Sequence, residues 1–356
     1  MQILHLQPEL NLSCGITRVI HQLMRNSSAN STHYVMTFGG NAIYKFKKDR
    51  LSVSILPKRA KYIFSLFHIY KIIEFCKKHN ITIIHAHHRY FDVLGYFAGK
   101  ILGIATVTSV HSKLNSRKIF SYKADKLIAV SQSIKKHLQS ALHINGNRIT
   151  LIHNFIDETN YDTSLVDFEG LKNRLGIYKE RTVIMFAGRF DKEKGIDILI
   201  AAFRKLQYEY IDLYLILIGD GKLKKSILEQ EQTTLKDVKI IESQEDIAPY
   251  LQLADIIVLP SRVDPFPLIM LECGLLKKAF LGTKVDGIAE FIKDGEDGIL
   301  VAPDDITALV KGFQKLLDNA ALRAAIAGKL HKKVMYGYLK QHILQQYFSL
   351  YSTLKK

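Results

Sequence analysis

Short apolar runs alternate with longer segments of helical period along almost the whole chain, and the alternation breaks once and restarts. Parallel strands need a crossover helix between them, so this rhythm marks βαβ units and parallel sheets. The first series predicts strands at Ile3–Leu6, Tyr34–Phe38, Ile81–Ala86, Ala105–Val110, Lys126–Val130 and Ile149–Ile152. After a polar stretch from Asp157 to Asp167 the second predicts strands at Val183–Ala187, Leu213–Ile218, Val238–Ile241, Ile256–Leu259, Ala279–Leu281 and Ile299–Val301. The expected class is therefore α/β, with two doubly wound, Rossmann-like domains at 1–165 and 166–336, and 356 residues suffice for two cores. A last helix over 337–356 carries an apolar face through Tyr338, Ile343, Tyr347 and Leu350 and must pack on something. Ligands of open α/β sheets bind outside the carboxyl ends of the strands, so two such domains facing across a cleft would hold a ligand there.

The charge is lopsided. The chain carries a formal net charge of +16, and residues 1–165 hold 22 Lys and Arg against 8 Asp and Glu, whereas the remainder is nearly balanced at 28 against 26. An anionic partner for the first domain follows: a membrane surface, a phosphorylated acceptor or nucleic acid. Its most basic stretch, 44–78, interleaves Lys45, Lys47, Lys48, Arg50, Lys58, Arg59, Lys61, Lys71, Lys77 and Lys78 with Phe64, Phe67, Tyr70 and Phe75. Such a helix suits an anionic membrane face, or else packs its aromatic side on the sheet. No nucleic-acid-binding motif accompanies the charge, so nucleic acid is not expected as a partner.

Cys14, Cys76 and Cys273 are an odd number without C-x-x-C spacing, which argues against a disulfide framework and a thiolate zinc site. The first residues lack the pattern of a secretory signal, and the most apolar windows are interrupted by Lys71 and Glu74 or by Asp92 and Lys100. The expected location is cytoplasmic, with peripheral attachment to the inner face of the membrane if the basic stretch binds lipid.

Three segments could carry chemistry. Ser13-Cys-Gly-Ile-Thr-Arg18 is a glycine turn entering a helix after the first strand; its backbone amides could hold a phosphate, or Gly15 merely makes the turn. It is not G-x-G-x-x-G, which disfavours a dehydrogenase. In Phe186-Ala-Gly-Arg-Phe-Asp-Lys-Glu-Lys-Gly195 a buried strand ends and Arg189 and Lys194 flank a turn, either as a diphosphate clamp or as a solvated charge run. In Ser261-Arg-Val-Asp-Pro-Phe-Pro-Leu-Ile-Met-Leu-Glu272, Asp264 and Glu272 lie eight positions apart on a segment whose helical start is signalled by Pro265 and Pro267. On one helix they would stand about 12 Å apart, suited to hydroxyls on different parts of an extended ligand.

On these segments the chain resembles the family 4 glycosyltransferases of GT-B fold. The resemblance is carried by the turn at Gly15, Thr108-Ser-Val-His111-Ser, Ala187–Gly195 and Asp264–Glu272, with weaker support from Ile84-His-Ala-His87, Ala129-Val-Ser131 and Leu151–Asp157. It implies a retaining transferase that takes a sugar from a nucleotide-diphosphate donor, UDP-linked rather than GDP-linked, without a metal or other cofactor. Arg189 and Lys194 would bind the donor diphosphate, Gly15 would offer it an amide, and Glu272 would hold the ribose hydroxyls. Asp264, where the family commonly has Glu, would contact the transferred sugar; Phe266, Pro267 and Leu268 would line the donor site. His111 resembles the histidine beside the sugar and the reacting bond, although a histidine after a strand also serves as a packed turn residue. Asn154-Phe155 replaces the usual Asn-Gly, and Cys273 replaces an alanine. The last helix would return to the first domain. The acceptor would be a glycan or lipid-linked molecule in lipopolysaccharide, O-antigen or capsule synthesis. The alternatives are a GT-B sugar-nucleotide epimerase or phosphorylase and, from another class, a basic nucleic-acid-binding protein.

Overall fold

In a computed structural model of the chain, all residues are described except 13, 28–30, 59–64, 114–120, 179, 234, 235, 355 and 356, together with the side chains of 228 and 230–233. The chain divides into two compact units, one formed by Met1–Asn154 with Gln341–Lys356 and the other by Phe155–Lys340.

The first unit runs β1 (Gln2–Leu6), α1 (Gly15–Arg25), β2 (Thr32–Thr37), α2 (Ile43–Lys48), β3 (Ser52–Ile55), α3 (Ser65–Lys78), β4 (Ile83–Ala86), α4 (Arg89–Leu102), β5 (Ala105–Val110), β6 (Lys126–Ala129), α5 (Gln132–Ser140) and β7 (Ile149–Leu151). Its parallel sheet has the order β3-β2-β1-β4-β5-β6-β7, so the topology reverses between β1 and β4. One face is apolar: Leu4, Leu6, Met36, Ile84 and Ala86 pack on Ile72 and Cys76 of α3 and on Phe91, Leu94 and Ala98 of α4. β3 escaped the sequence reading because Ser-Val-Ser-Ile is an edge strand that is nowhere fully buried, so it carries no apolar run.

The second unit runs α6 (Phe168–Leu175), β8 (Thr182–Ala187), α7 (Ile196–Leu206), β9 (Leu213–Ile218), α8 (Lys224–Thr233), β10 (Val238–Ile241), α9 (Ala248–Leu253), β11 (Ile256–Leu259), α10 (Leu268–Leu275), β12 (Ala279–Thr283), α11 (Asp286–Phe291), β13 (Ile299–Val301), α12 (Ile306–Leu317) and α13 (Ala320–Gly337). Its parallel sheet is ordered β10-β9-β8-β11-β12-β13, with the reversal between β8 and β11. β9 and β11 are buried at every residue, as expected of strands covered on both faces. The other predicted strands of both units are also present, within a residue or two at their ends.

The polar stretch after Asn154 lies inside the second unit. Phe155 and Ile156 are buried, Ile156 bridges to Leu339, and the Asp157 carboxylate accepts from Lys340 Nζ at 2.8 Å. The last predicted helix is α14 (Lys340–Thr353), and its Ile343, Tyr347 and Leu350 are buried. Tyr338 is not on that helix: it sits in the joint after α13, its ring 4.8 Å from Phe291. From Gln341 onward the chain belongs to the first unit, where the Tyr351 hydroxyl meets His85 Nδ1 at 2.7 Å.

Candidate active site

In the second unit the candidate residues gather at the carboxyl ends of β8 and β11, the point where the sheet reverses. After β8 the Asp191 carboxylate caps a single 3-10 turn by accepting from the Lys194 amide at 3.0 Å. Gly195 then takes a left-handed conformation, φ +69°, and a Cβ there would fall 1.9 Å from the carbonyl oxygen of Pro260. The turn is thereby pressed onto the end of β11, and Lys194 Nζ comes to 2.5 Å from Asp264 Oδ2. Both side chains are largely buried, Lys194 at 18% and Asp264 at 4% exposure. Ser261 Oγ stands 3.3 Å from the same oxygen. The Asp264 backbone is fixed on both sides: its N–H donates to the Asp286 carboxylate and its carbonyl accepts from the Gly287 N–H.

Arg189 has a different setting. It is 53% exposed, with one guanidinium nitrogen 2.8 Å from Asp191 and another 3.0 Å from Glu193. The two expected diphosphate ligands are thus an outer, exposed cation and an inner one held by a buried carboxylate.

Arg262, which the sequence reading quoted without a role, ties the two loops together. Its guanidinium forks onto Asp197 at 2.8 and 2.9 Å and reaches Asp304 at 2.5 Å and the Lys192 carbonyl; its own N–H donates to the Glu193 carbonyl. Partial burial pushes the Asp197 carboxyl up, but the bonds from Arg262 outweigh it and hold the group below the usual carboxylate range.

Asp264 and Glu272 do not share a helix. A residue before proline is disfavoured in a helix, and α10 starts only at Leu268 with the extended Pro267 as its N-cap, so Asp264 belongs to the preceding loop. The helical spacing of about 12 Å drawn from the sequence therefore does not apply. Glu272 is buried on α10, and its Oε1 accepts from the Tyr161 hydroxyl at 2.6 Å, a partner with no motif to betray it. Phe266 is buried between Phe291 and Tyr338, and Leu268 is buried too, so their side chains are committed to packing while Pro267 stays half-exposed.

In the first unit Gly15 opens α1, whose N-cap Cys14 makes no side-chain cap bond among the described residues and whose first turn holds no acidic residue. Ser13 of that turn lies outside the described residues. His111 follows β5, half-buried, with Nε2 sealed from solvent and without a hydrogen-bond partner among the described residues. Burial pulls its pKa down to about 4, so the imidazole is neutral near pH 7. Its ring stacks on His87, centroids 5.8 Å apart and planes at 24°.

Comparison with known proteins identifies the family and the fold. Residues 14–160 match the model of Glycosyltransferase Family 4 and residues 167–332 that of Glycosyl transferases group 1. Among similar proteins, N-acetyl-alpha-D-glucosaminyl L-malate synthase of Bacillus anthracis is 27% identical over 79% of this chain and 77% of its own length. The capsular polysaccharide biosynthesis glycosyltransferase CapM of Staphylococcus aureus is 25% identical over 67% of this chain and 64% of its own. The fold is that of Anabaena HepE, solved in complex with UDP-glucose, with a TM-score of 0.88 and 21% identity over 99% of this chain and all of the other. The two family models together span most of the chain, which is a GT-B glycosyltransferase of family 4.

Proposed function

We propose that this glycosyltransferase moves a sugar from a nucleotide-diphosphate donor, UDP-linked rather than GDP-linked, to an acceptor hydroxyl with retention at the anomeric carbon. The observation that carries the reading is the Lys194–Asp264 pair at the reversal of the second sheet, with Arg189 beside it. As the bond from the anomeric carbon to the diphosphate breaks, negative charge grows on the leaving oxygen. Arg189 and Lys194, already fixed, stabilise it without a divalent ion. The Asp264 oxygen not facing Lys194 takes a hydroxyl of the transferred sugar, Glu272 takes the ribose hydroxyls, a Gly15 amide meets the donor phosphate, and His111 lies at the sugar. The acceptor oxygen bonds to the anomeric carbon as it loses its proton, which passes to an oxygen of the departing phosphate.

Relatives named for capsular polysaccharide and lipopolysaccharide work support a surface-glycan acceptor, lipid-linked and met at the inner face of the cell membrane. α3 supports the membrane part: it buries His68, Ile72 and Cys76 while Leu66 and Tyr70 point outward at 77% and 59% exposure. Arg59, Lys61 and Phe64 of the basic stretch lie outside the described residues. No helix among the described residues is long and apolar enough to cross a membrane.

A panel of nucleotide sugars with a soluble glycan acceptor tests the reading. The expected result is acceptor-dependent release of UDP with an unchanged anomeric configuration, persisting in brief assays with excess chelator. Epimerisation without acceptor, release that requires phosphate, or activity restored only by magnesium or manganese would overturn it.

A further inference from the structure

Sugar transfer leaves unused a layer of histidines in the first unit. His5 on β1 pairs in register with His85 on β4, and because side chains alternate along a strand, His87 and, on β2, His33 share their face. All four are buried, His5, His85 and His87 at the reversal between β1 and β4 and His33 on the adjoining β2. His5 Nδ1 lies 3.0 Å from His87 Nε2, and His5 Nε2 lies 2.9 Å from His33 Nδ1. His85 has Tyr351 Oη at 2.7 Å from Nδ1 and Ser109 Oγ at 2.8 Å from Nε2. One ring nitrogen from each of His5, His85 and His87 falls within 4.8 Å of the other two.

We propose that His5, His85 and His87 bind one zinc ion inside the first unit. Two imidazole nitrogens facing each other at 3.0 Å can share a proton or a metal, and tetrahedral zinc with Zn–N bonds of about 2.05 Å sets its ligand nitrogens about 3.3 Å apart. The widest of the three separations has to close by up to about 1.5 Å, which requires His85 to give up one of its two present partners and turn that nitrogen to the ion. An all-imidazole donor set suits zinc, cobalt, nickel or copper and not magnesium or calcium. Burial pulls all three pKa values well below the usual histidine range, which keeps the rings neutral and ready to ligate.

The surroundings match what ligand histidines need, since such a ring rests its second nitrogen on a partner that fixes its orientation. His33 does this for His5, and Ser109 or Tyr351 does it for His85, whichever nitrogen turns to the ion. His87 is steadied instead by stacking on His111. A water or the Tyr351 hydroxyl completes the fourth position, as in three-histidine zinc sites with one open place. The ion would then cross-link β1 and β4 and bear on α14.

The test uses the full chain, incubated with zinc sulfate and desalted, with metal read by mass spectrometry and again after cobalt loading by visible absorption. About one zinc per chain and the intense bands of tetrahedral cobalt are expected. His87→Gln should abolish both, and His33→Gln, one shell out, should weaken binding by about 10- to 100-fold. His143→Gln, on the exposed surface, should change neither. Should His87→Gln fail to fold by circular dichroism, His33→Gln and the zinc-dependent rise in the wild-type melting temperature decide. A folded wild type that keeps no zinc overturns the proposal. So does octahedral cobalt that His33→Gln leaves in place, which marks surface binding. Metal content is read without sugar transfer, so the outcome stands whatever the donor assay returns.

Discussion

Lys194 Nζ sits 2.5 Å from the buried Asp264 Oδ2, joining residues 70 positions apart. Removing the cation leaves a buried carboxylate uncompensated. Lys194→Ala should therefore lower stability by about 3 kcal/mol as well as turnover by about a hundredfold or more. Arg189→Ala should cost turnover similarly while leaving the urea midpoint unchanged, because exposed pairs contribute little to stability. Activity of Arg189→Ala within about threefold of wild type would sink its diphosphate role.

Gly195→Ala demands a left-handed backbone of a residue with a side chain and drives a Cβ into the Pro260 carbonyl. The turn must retreat from β11 and carry Lys194 with it. A misplacement on the order of 1 Å costs roughly a hundredfold, so kcat/KM should fall by about that much. A wild-type kcat/KM for this variant would show that the turn does not position the cation.

Tyr161→Phe removes the hydroxyl that donates to Glu272. A hydrogen bond to a charged group is worth about 1.5–3 kcal/mol, so donor KM should rise roughly tenfold or more with kcat unchanged. A donor built on 2′,3′-dideoxyribose should show no such rise. An equal rise for both donors would exclude ribose recognition by Glu272.

Burial pulls the pKa values of His33 and His111 to about 4 and those of His5, His85 and His87 well below the usual 6.5. Below pH 6.5 the unfolded chain takes up protons that the folded chain refuses until about pH 4 or lower. Stability is therefore full above 6.5 and falls as pH drops through that window, by up to about 1.4 kcal/mol per pH unit for each ring. In metal-free protein the urea midpoint should be markedly lower at pH 5 than at pH 7. A flat profile would mean that these rings are protonated in the folded state.

Replacing Lys58, Arg59 and Lys61 by Glu should weaken sedimentation with anionic vesicles, each lysine or arginine near such a surface being worth about 1 kcal/mol. The difference should shrink as salt rises. Activity on a soluble acceptor should persist. Unchanged vesicle binding at low salt would overturn the membrane role of the basic stretch 44–78.

The strands were legible because both sheets are buried on two faces, which writes them as apolar runs. β3 failed that rule as an edge strand, and the histidine face hid because alternating polar residues on buried strands look like solvent-facing ones. Arg189, Lys194, Asp264 and Glu272 stood out through local motif. Arg262, Tyr161 and the Lys194–Asp264 contact did not, since each depends on partners far away in sequence. The placement of Asp264 on a helix failed because Pro265 and Pro267 delay α10 to Leu268.

The second unit is one uninterrupted stretch of chain, whereas the first needs Gln341–Lys356 to finish. On a ribosome this inverts the usual order in which amino-terminal domains fold first. The second unit ends at Lys340, ahead of Tyr347 and Tyr351, so the first unit is the later of the two to have all its residues. A chain stopped after Lys340 would thus keep every residue of the second unit and deprive the first, the half made earliest, of Tyr347 and Tyr351.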